Sequence, residues 1–363
     1  ISLALDEVGN QVQGIPLSFQ QLDHRGNAVR QKKNSKSILA DPNYLAMFSG
    51  IHSTTLIPNR QFINESQLLT LVPWAAGGPV TRYADGLNWV FRLSIDDTHA
   101  GPYLVSYAHK IKQCRNPHLM LEKTPWGESN YKSITKAYQE LDGRVPKVHW
   151  FNFGVSLPTA RVLFRDVIRD AADCVLLVAN DSEARTLFNA LRTLPAGEGL
   201  QFISHWGVAA GSFWEDIPEG DSAETRMRFI QSCFSFNQRS GRAGYNDFQR
   251  DVFVRLQQRF PSVERPEDLR AQTGLVHAYD LTRILLAALD QVPLGDDMVD
   301  NRARLREALE NLQQPVQGLL KRYEQPFIAY DPEPAPNGHD ALDANDFCMG
   351  YFTDQGNIYL EQP

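Results

Sequence analysis

The sequence predicts an α/β protein built from two doubly wound lobes, each on a parallel sheet. Three observations predict it. Apolar runs of strand length alternate with amphipathic helical stretches along most of the chain. The alternation occurs as two series, and 363 residues exceed what one hydrophobic core ordinarily organises. Such alternation implies right-handed βαβ units and sheets covered on both faces.

Taken in order, Ile1, Ala4, Leu5 and Val8 share one face of an opening helix. A doubly wound lobe should open on a strand, so a first strand and its loop are expected to precede Ile1. Residues 15–21 read as a strand ending at Asp23, and residues 28–39 as a basic helix. Strands are predicted over 44–48, 68–72, 118–122, 147–152, 174–179 and 200–203, with helices over 102–112, 127–141, 159–172 and 182–194 between the later ones. Residues 244–260 and 275–289 read as long helices, the second nearly apolar enough to be buried. Residues 301–313 read as a charged, solvent-facing helix. The tail carries the short strand signals PFIAY, CMGYF and NIYLE between Pro, Asp and Gly turns.

The stretch from Tyr44 to Gly101 carries the most chemistry. Its first strand ends in Ser49-Gly50, and Ser53 and Thr54 stand where a helix begins. Its second strand runs into Pro73-Trp74-Ala75-Ala76-Gly77-Gly78. Two neighbouring strand ends thus offer backbone N–H groups, small side chains and a hydroxyl, a combination that favours a bound anion. Crevices of this kind form at the carboxyl ends of parallel strands.

Composition narrows the function classes. Hydrophobic content of 42%, with 24 Gly and 21 Pro, is that of an ordinary globular protein. A net charge of −7 argues against a nucleic-acid surface. Apolar runs such as 175–179 and 284–289 are too short to span a bilayer. No secretory leader opens the chain, which reads as mature, trimmed or cytosolic. Cys114, Cys174, Cys233 and Cys348 form no CxxC pair and lie near no His at zinc-ligand spacing, so no metal site is expected. Cys174, in CVLLVA, reads as a buried small hydrophobe; one disulfide among the others is compatible with an oxidising compartment. There is no GxSxG elbow, P-loop, dinucleotide fingerprint or HExxH pattern, and His149, His205 and His277 lack acid or nucleophile partners nearby in sequence. No enzyme, no catalytic residue and no cofactor are expected.

The motifs SGIHSTT, LVPWAAGGPVT, FRLSIDDTHAG and KTPWGESN, followed by LLVANDSEA and FISHWGV, occur in an order and spacing that resembles the type I periplasmic binding proteins. The nearest resemblance is to the branched-chain amino-acid (Leu/Ile/Val) binding proteins of ABC importers, over nearly the whole chain. It implies two lobes joined by a three-strand hinge that closes on a small ligand. The expected N-terminal lobe is 1–110 plus 237–325, and the C-terminal lobe 111–236 plus 326–363.

Carried over by position, Ser53, with Thr54 beside it, falls where the family sets a serine hydroxyl on the ligand carboxylate. Ala75 and Ala76 fall where backbone groups and a threonine complete that grip; the threonine is absent here. Trp126 stands at an aromatic position that covers the ligand, and Asn180 at another contact position. Trp206 takes the place of the acid that pairs with an α-ammonium. A buried ammonium needs a partner carboxylate, so an aromatic or other apolar carboxylate fits better than a plain amino acid. Asp97 and Glu215 are the acids left to take an ammonium. The resemblance implies a periplasmic or extracytoplasmic monomer that delivers its ligand to the membrane subunits of an ABC importer. The alternative is the ligand-sensing ectodomain of a receptor or regulator.

Overall fold

The computed structural model describes residues 1–194, 199–211, 213, 227–237 and 244–361. The chain divides into two units. The first comprises Ile1–Asp96, Tyr245–Val263 and Gly274–Asp343; the second comprises Asp97–Gly244, Glu264–Thr273 and Ala344–Pro363. No helix among the described residues is long and apolar enough to cross a membrane.

The second unit is built on a seven-stranded sheet. From edge to edge its strands are Ile358–Leu360, Phe347–Phe352, Arg228–Ser232, Gln201–Ser204, Cys174–Val178, Pro117–Glu122 and Lys147–Phe151. The last five run parallel, and the two from the tail add antiparallel. Every residue of Pro117–Glu122 and Cys174–Val178 is buried, as central parallel strands covered on both faces require. Leu157–Arg169 and Asp181–Leu191 supply one cover: Ala160, Phe164, Val167, Leu187 and Phe188 pack on Val175, Leu177, Phe202 and Phe229.

All four cysteines pair in this unit, as Cys114–Cys174 and Cys233–Cys348, with Cα atoms 6.0 and 5.0 Å apart. The expectation that Cys174 is an unpaired core residue is therefore corrected. Its apolar surroundings are real, and its strand edge brings it beside Cys114, a partner that spacing along the chain cannot reveal.

The first unit has a smaller sheet of three parallel strands, Met47–Phe48, Thr70–Val72 and Val90–Arg92, with Thr70–Val72 in the middle. Ile38, Met47, Leu56, Ile63, Leu68, Val72, Ala75, Val80 and Val90 form a core on it. The helix Ala28–Ala40 starts at Asn27, whose side chain accepts the N–H of Arg30. From Gly274 on, the helix Gln272–Asp290 belongs to this unit. A Cβ at Gly274 would sit 2.4 Å from the Trp74 ring, so glycine is what lets helix and turn meet. One turn further, the His277 imidazole contacts the Pro73 carbonyl at 3.1 Å. Asp280, wholly buried, accepts the N–H groups of Leu319 and Leu320 and the Tyr323 hydroxyl.

Three elements differ from expectation. PFIAY, residues 326–330, forms no strand, since the nearby pairing strand is Arg322–Tyr323, in a short hairpin with Val316–Gln317. Of residues 15–21 only Ile15–Pro16 pairs, in a two-residue hairpin with Gln11–Val12. Pro16 has no N–H for a ladder, and Phe19 stays 43% exposed, so the alternation finds no sheet to lie on. The charged helix is Met298–Glu310, and much of it is buried. Arg302 donates to the carbonyls of Tyr44 and Leu45, and Arg306 pairs with Glu310, whose carboxylate also meets His339 at 2.9 Å. Buried charge is tolerated because each group has a partner.

Burial drives the two titrations of the helix Gln272–Asp290 in opposite senses. His277 is pushed down to about 4, against the pull of the Pro73 carbonyl. Asp280 is pushed up to about 6 by burial, against its three donors. As pH falls below about 6.5 the unfolded chain protonates this histidine while the folded chain does not, so its contribution is lost down to about pH 4, on the order of 3 kcal/mol. Asp280 contributes the opposite slope over about pH 4 to 6. We therefore expect His277→Gln to be less stable than the wild type at pH 7, with the gap narrowing or reversing at pH 4.5. Urea unfolding at both pH values measures it, and a gap independent of pH would refute the neutral, buried histidine.

Candidate functional site

In the first unit the strands Met47–Phe48 and Thr70–Val72 end side by side, and the turns after them hold Ser53, Thr54, Ala75 and Ala76. Ser53 is the first residue of the short helix Ser53–Leu56, with His52 as its cap. Its buried hydroxyl accepts the N–H of Gly77 at 2.9 Å, which fastens the two turns together and leaves its own proton to donate. Thr54 is half-buried. A Cβ at Gly77 would lie 2.9 Å from both Ile57 and Ser53, so the close approach demands glycine. The Ser94 hydroxyl donates to the Trp74 carbonyl at 2.7 Å.

Arg92 organises this turn, and sequence reasoning missed it. Its side chain is fully buried, with Nε 2.7 Å from Asp340 and Nη2 3.1 Å from Asp96. Nη1 donates to the carbonyls of Ala76 and Gly77 at 3.0 and 2.9 Å and reaches that of Ala75 at 3.5 Å. In a trans peptide the C=O and the following N–H point in opposite directions, and the described chain has no cis bond. With these carbonyls drawn to the guanidinium, the N–H groups of Ala76, Gly77 and Gly78 face away from it. The Gly77 N–H is taken by Ser53, which leaves the Ala76 N–H beside the Ser53 hydroxyl and small side chains, a setting compatible with a carboxylate or similar anion. The signal in the sequence is an arginine inside the apolar run Trp89-Val-Phe-Arg-Leu, which requires a buried counter-charge.

In the second unit Asp97, Trp126 and His205 come together. Asp97 opens the helix Asp97–Lys110 and is wholly buried, with the His205 Nε2 3.0 Å from its Oδ1. That contact lies off the line of a hydrogen bond, so both carboxylate oxygens and His205 Nε2 keep unused capacity among the described residues. His205 Nδ1 accepts the N–H of Trp206 at 3.0 Å, which turns Nε2 toward Asp97. The Trp126 indole meets the His205 ring edge-on at 5.2 Å, and its Nε1 also has no partner among the described residues. Four buried polar atoms without partners in one place is unusual, because each left unmet costs about 1–3 kcal/mol.

Trp126 is not in a loop, as its neighbours Pro125 and Gly127 suggest, but in the first turn of the helix Pro125–Asp142. There Thr124 caps the N–H of Gly127 and Pro125 takes the first position. Trp126 is 6% exposed and Trp206 1% exposed, so neither indole offers an open face to solvent. A Cβ at Gly207 would come within 2.8 Å of the Trp126 ring and 2.3 Å of the Ala179 carbonyl, so this glycine lets the indole sit down on the strand ends.

Asn180 precedes the helix Asp181–Leu191 and donates its amide to Glu122 Oε2 at 3.1 Å. Glu122 is buried, and desolvation, followed by the charge of Glu183, pushes it up to about 7. Glu183 itself accepts the Gly154 N–H and the Ser182 hydroxyl. Glu122, Asn180 and His205 all stand at the carboxyl ends of adjacent parallel strands. Glu215, the other acid named for an ammonium, lies outside the described residues.

No protein-family profile and no curated protein sequence matches the chain. Solved structures do. A type 1 periplasmic binding protein from Bordetella pertussis Tohama I superposes with a TM-score of 0.78 at 14% identity, over 100% of this chain and 93% of that one. A solute-binding protein of an R. palustris ABC transporter, in complex with benzoate, gives 0.75 at 15% identity, over 99% and 88%. A leucine-binding protein, LivK, from Thermotoga maritima MSB8 gives 0.72 at 14% identity, over 99% and 91%. At such identities likeness establishes architecture, and it agrees with the order of turns described above: the chain has the type I periplasmic binding protein fold.

Proposed function

We propose that the chain is an extracytoplasmic solute-binding protein, not an enzyme, which takes up a small carboxylate and presents it to the membrane subunits of an ABC importer. The observation that carries this reading is the turn at residues 73–78, where Arg92 draws in the carbonyls and Ser53, fastened to the Gly77 N–H, keeps its hydroxyl proton to donate beside the outward-facing N–H of Ala76. Ser53 would add its hydroxyl proton and Thr54 a second hydroxyl, with Ala75 and Ala76 contributing backbone alone. From the second unit, Trp126, Asp97 and Asn180 would meet the remainder of the ligand, with Trp206 holding His205 in place through its N–H. Closure of the two units on the ligand would then signal occupancy to the importer. Two disulfides fit an oxidising compartment.

For the ligand we favour an aromatic or other apolar carboxylate. Trp126 offers a broad ring and an unused N–H, and a solute-binding protein of this fold is known with benzoate. One observation favours a second reading. Asp97 is a buried carboxylate whose two oxygens have no hydrogen-bond partner among the described residues, and an α-ammonium would supply donors to them. An ABC transporter substrate-binding protein of this fold is known with Leu.

Isothermal titration against benzoate, benzamide, leucine and phenylalanine separates the two. On the favoured reading benzoate binds, benzamide does not, and Asp97→Asn leaves benzoate affinity within a few-fold. On the second, leucine or phenylalanine binds and Asp97→Asn weakens it by about 30-fold or more, as loss of a buried charge pair implies. If Trp126→Ala leaves every affinity unchanged, the second-unit site is elsewhere. Arg92→Lys retains a charge but not the planar fork, so carboxylate affinity should fall by about tenfold or more. The same variant should melt several degrees lower; normal affinity in it would remove the turn from the site.

A further inference from the structure

Away from the residues above, the first unit carries a cationic groove that its ligand chemistry does not use. Between His24 and Asn64 the sequence holds six cations, Arg25, Arg30, Lys32, Lys33, Lys36 and Arg60, against the single acid Asp41, in a chain of net charge −7. Lys32, Lys33 and Lys36 lie on consecutive turns of the helix Ala28–Ala40, are exposed, and pair with no described carboxylate. With Val29 and Pro58 they line a groove of about 430 Å³. Val29 is 80% exposed on a helix where a polar residue would cost nothing. The ammonium groups of Lys32 and Lys36 stand 5.0 and 6.0 Å from the centre of the Phe62 ring, which holds their stems along the helix.

We propose that this helix face is a docking surface for an acidic segment of another protein that seats an apolar side chain in the groove. Charge complementarity selects the sign of the partner: three unpaired ammoniums in a row attract carboxylates and repel other basic surfaces. The concave apolar floor selects its form. A flat bilayer would meet the lysines and leave the floor unfilled, whereas an extended acidic chain with a leucine or phenylalanine would cover both.

The test is fluorescence anisotropy on the intact chain with a fluorescein-labelled peptide of alternating glutamate and leucine. Saturable binding is expected that weakens between 0.05 and 0.5 M salt, roughly as screening of exposed charges dictates. It should fall about tenfold or more both in Lys32→Glu/Lys33→Glu/Lys36→Glu and in Val29→Asp. Circular dichroism and melting should be unchanged in both, and Lys33→Ala, the mildest change, should still weaken binding measurably. Polyglutamate binding as tightly as the mixed peptide would overturn the groove, and equal binding by the variants would overturn the surface. Stronger capture of phosphatidylglycerol vesicles than of peptide would replace the partner with a membrane. Self-association of the chain, lost in the same variants by sedimentation, would replace it with a second copy.

Discussion

Arg92 ends the strand Val90–Arg92 with no exposed surface, and five groups converge on its guanidinium: the carboxylates of Asp96 and Asp340, the carbonyls of Ala76 and Gly77, and the Thr81 hydroxyl. Taking a guanidinium out of water costs several kcal/mol, and two carboxylates at 2.7 and 3.1 Å offset that cost only because the planar fork serves carbonyls as well. The consequences run outward in order. Carbonyls drawn in mean N–H groups turned out. Gly77 then meets Ser53, the approach excludes any Cβ, and the alanines beside it stay small. Gly274 and His277 hold the same turn from the other side, at Trp74 and Pro73. The turn at residues 73–78 is thus held from Arg92 and from the helix Gln272–Asp290, so the ordering that any bound group would require of it is already in place.

The second unit solves a different electrostatic problem with similar residues. Asp96 and Asp97 are consecutive, yet the first is matched by Arg82 and Arg92 while the second lies beside His205 with no hydrogen-bond partner among the described residues. The Trp206 N–H holds the His205 ring through Nδ1. A fully buried carboxylate in that condition is a standing demand for a donor, and the Trp126 N–H beside it is a standing demand for an acceptor.

Much of this architecture was legible in the sequence because its signals were local. The strand at residues 174–178 is uniformly apolar and is buried on both faces, and the helix Leu157–Arg169 shows its buried stripe as a clean periodicity. What failed was non-local. Residues 15–21 alternate as a strand would, but a strand exists only if a sheet edge receives it. The charged helix Met298–Glu310 looks solvated until Tyr44, Leu45 and His339 are brought to Arg302 and Glu310. Cys174 looks like a hydrophobe until the fold sets Cys114 beside it.

The site shows the same division more sharply. Ser53 and the turn at residues 73–78 could be picked out because small residues after a strand are a local signature. Arg92, His205 and Glu122 could not, since each acts through a partner that is distant in sequence or carried on another strand. Matching positions to a family adds a subtler error. Trp206 stands where an ammonium-pairing acid is expected, and its identity argues that no ammonium is bound. Yet the requirement is for a negative charge in a volume of space, not at a position in the chain. Asp97, brought beside His205 by a helix start more than a hundred residues away, is a buried carboxylate that position matching alone would not have offered for that role. Substitution at one contact therefore excludes a ligand class only when every other buried charge near it has been matched to a partner, and here one has not.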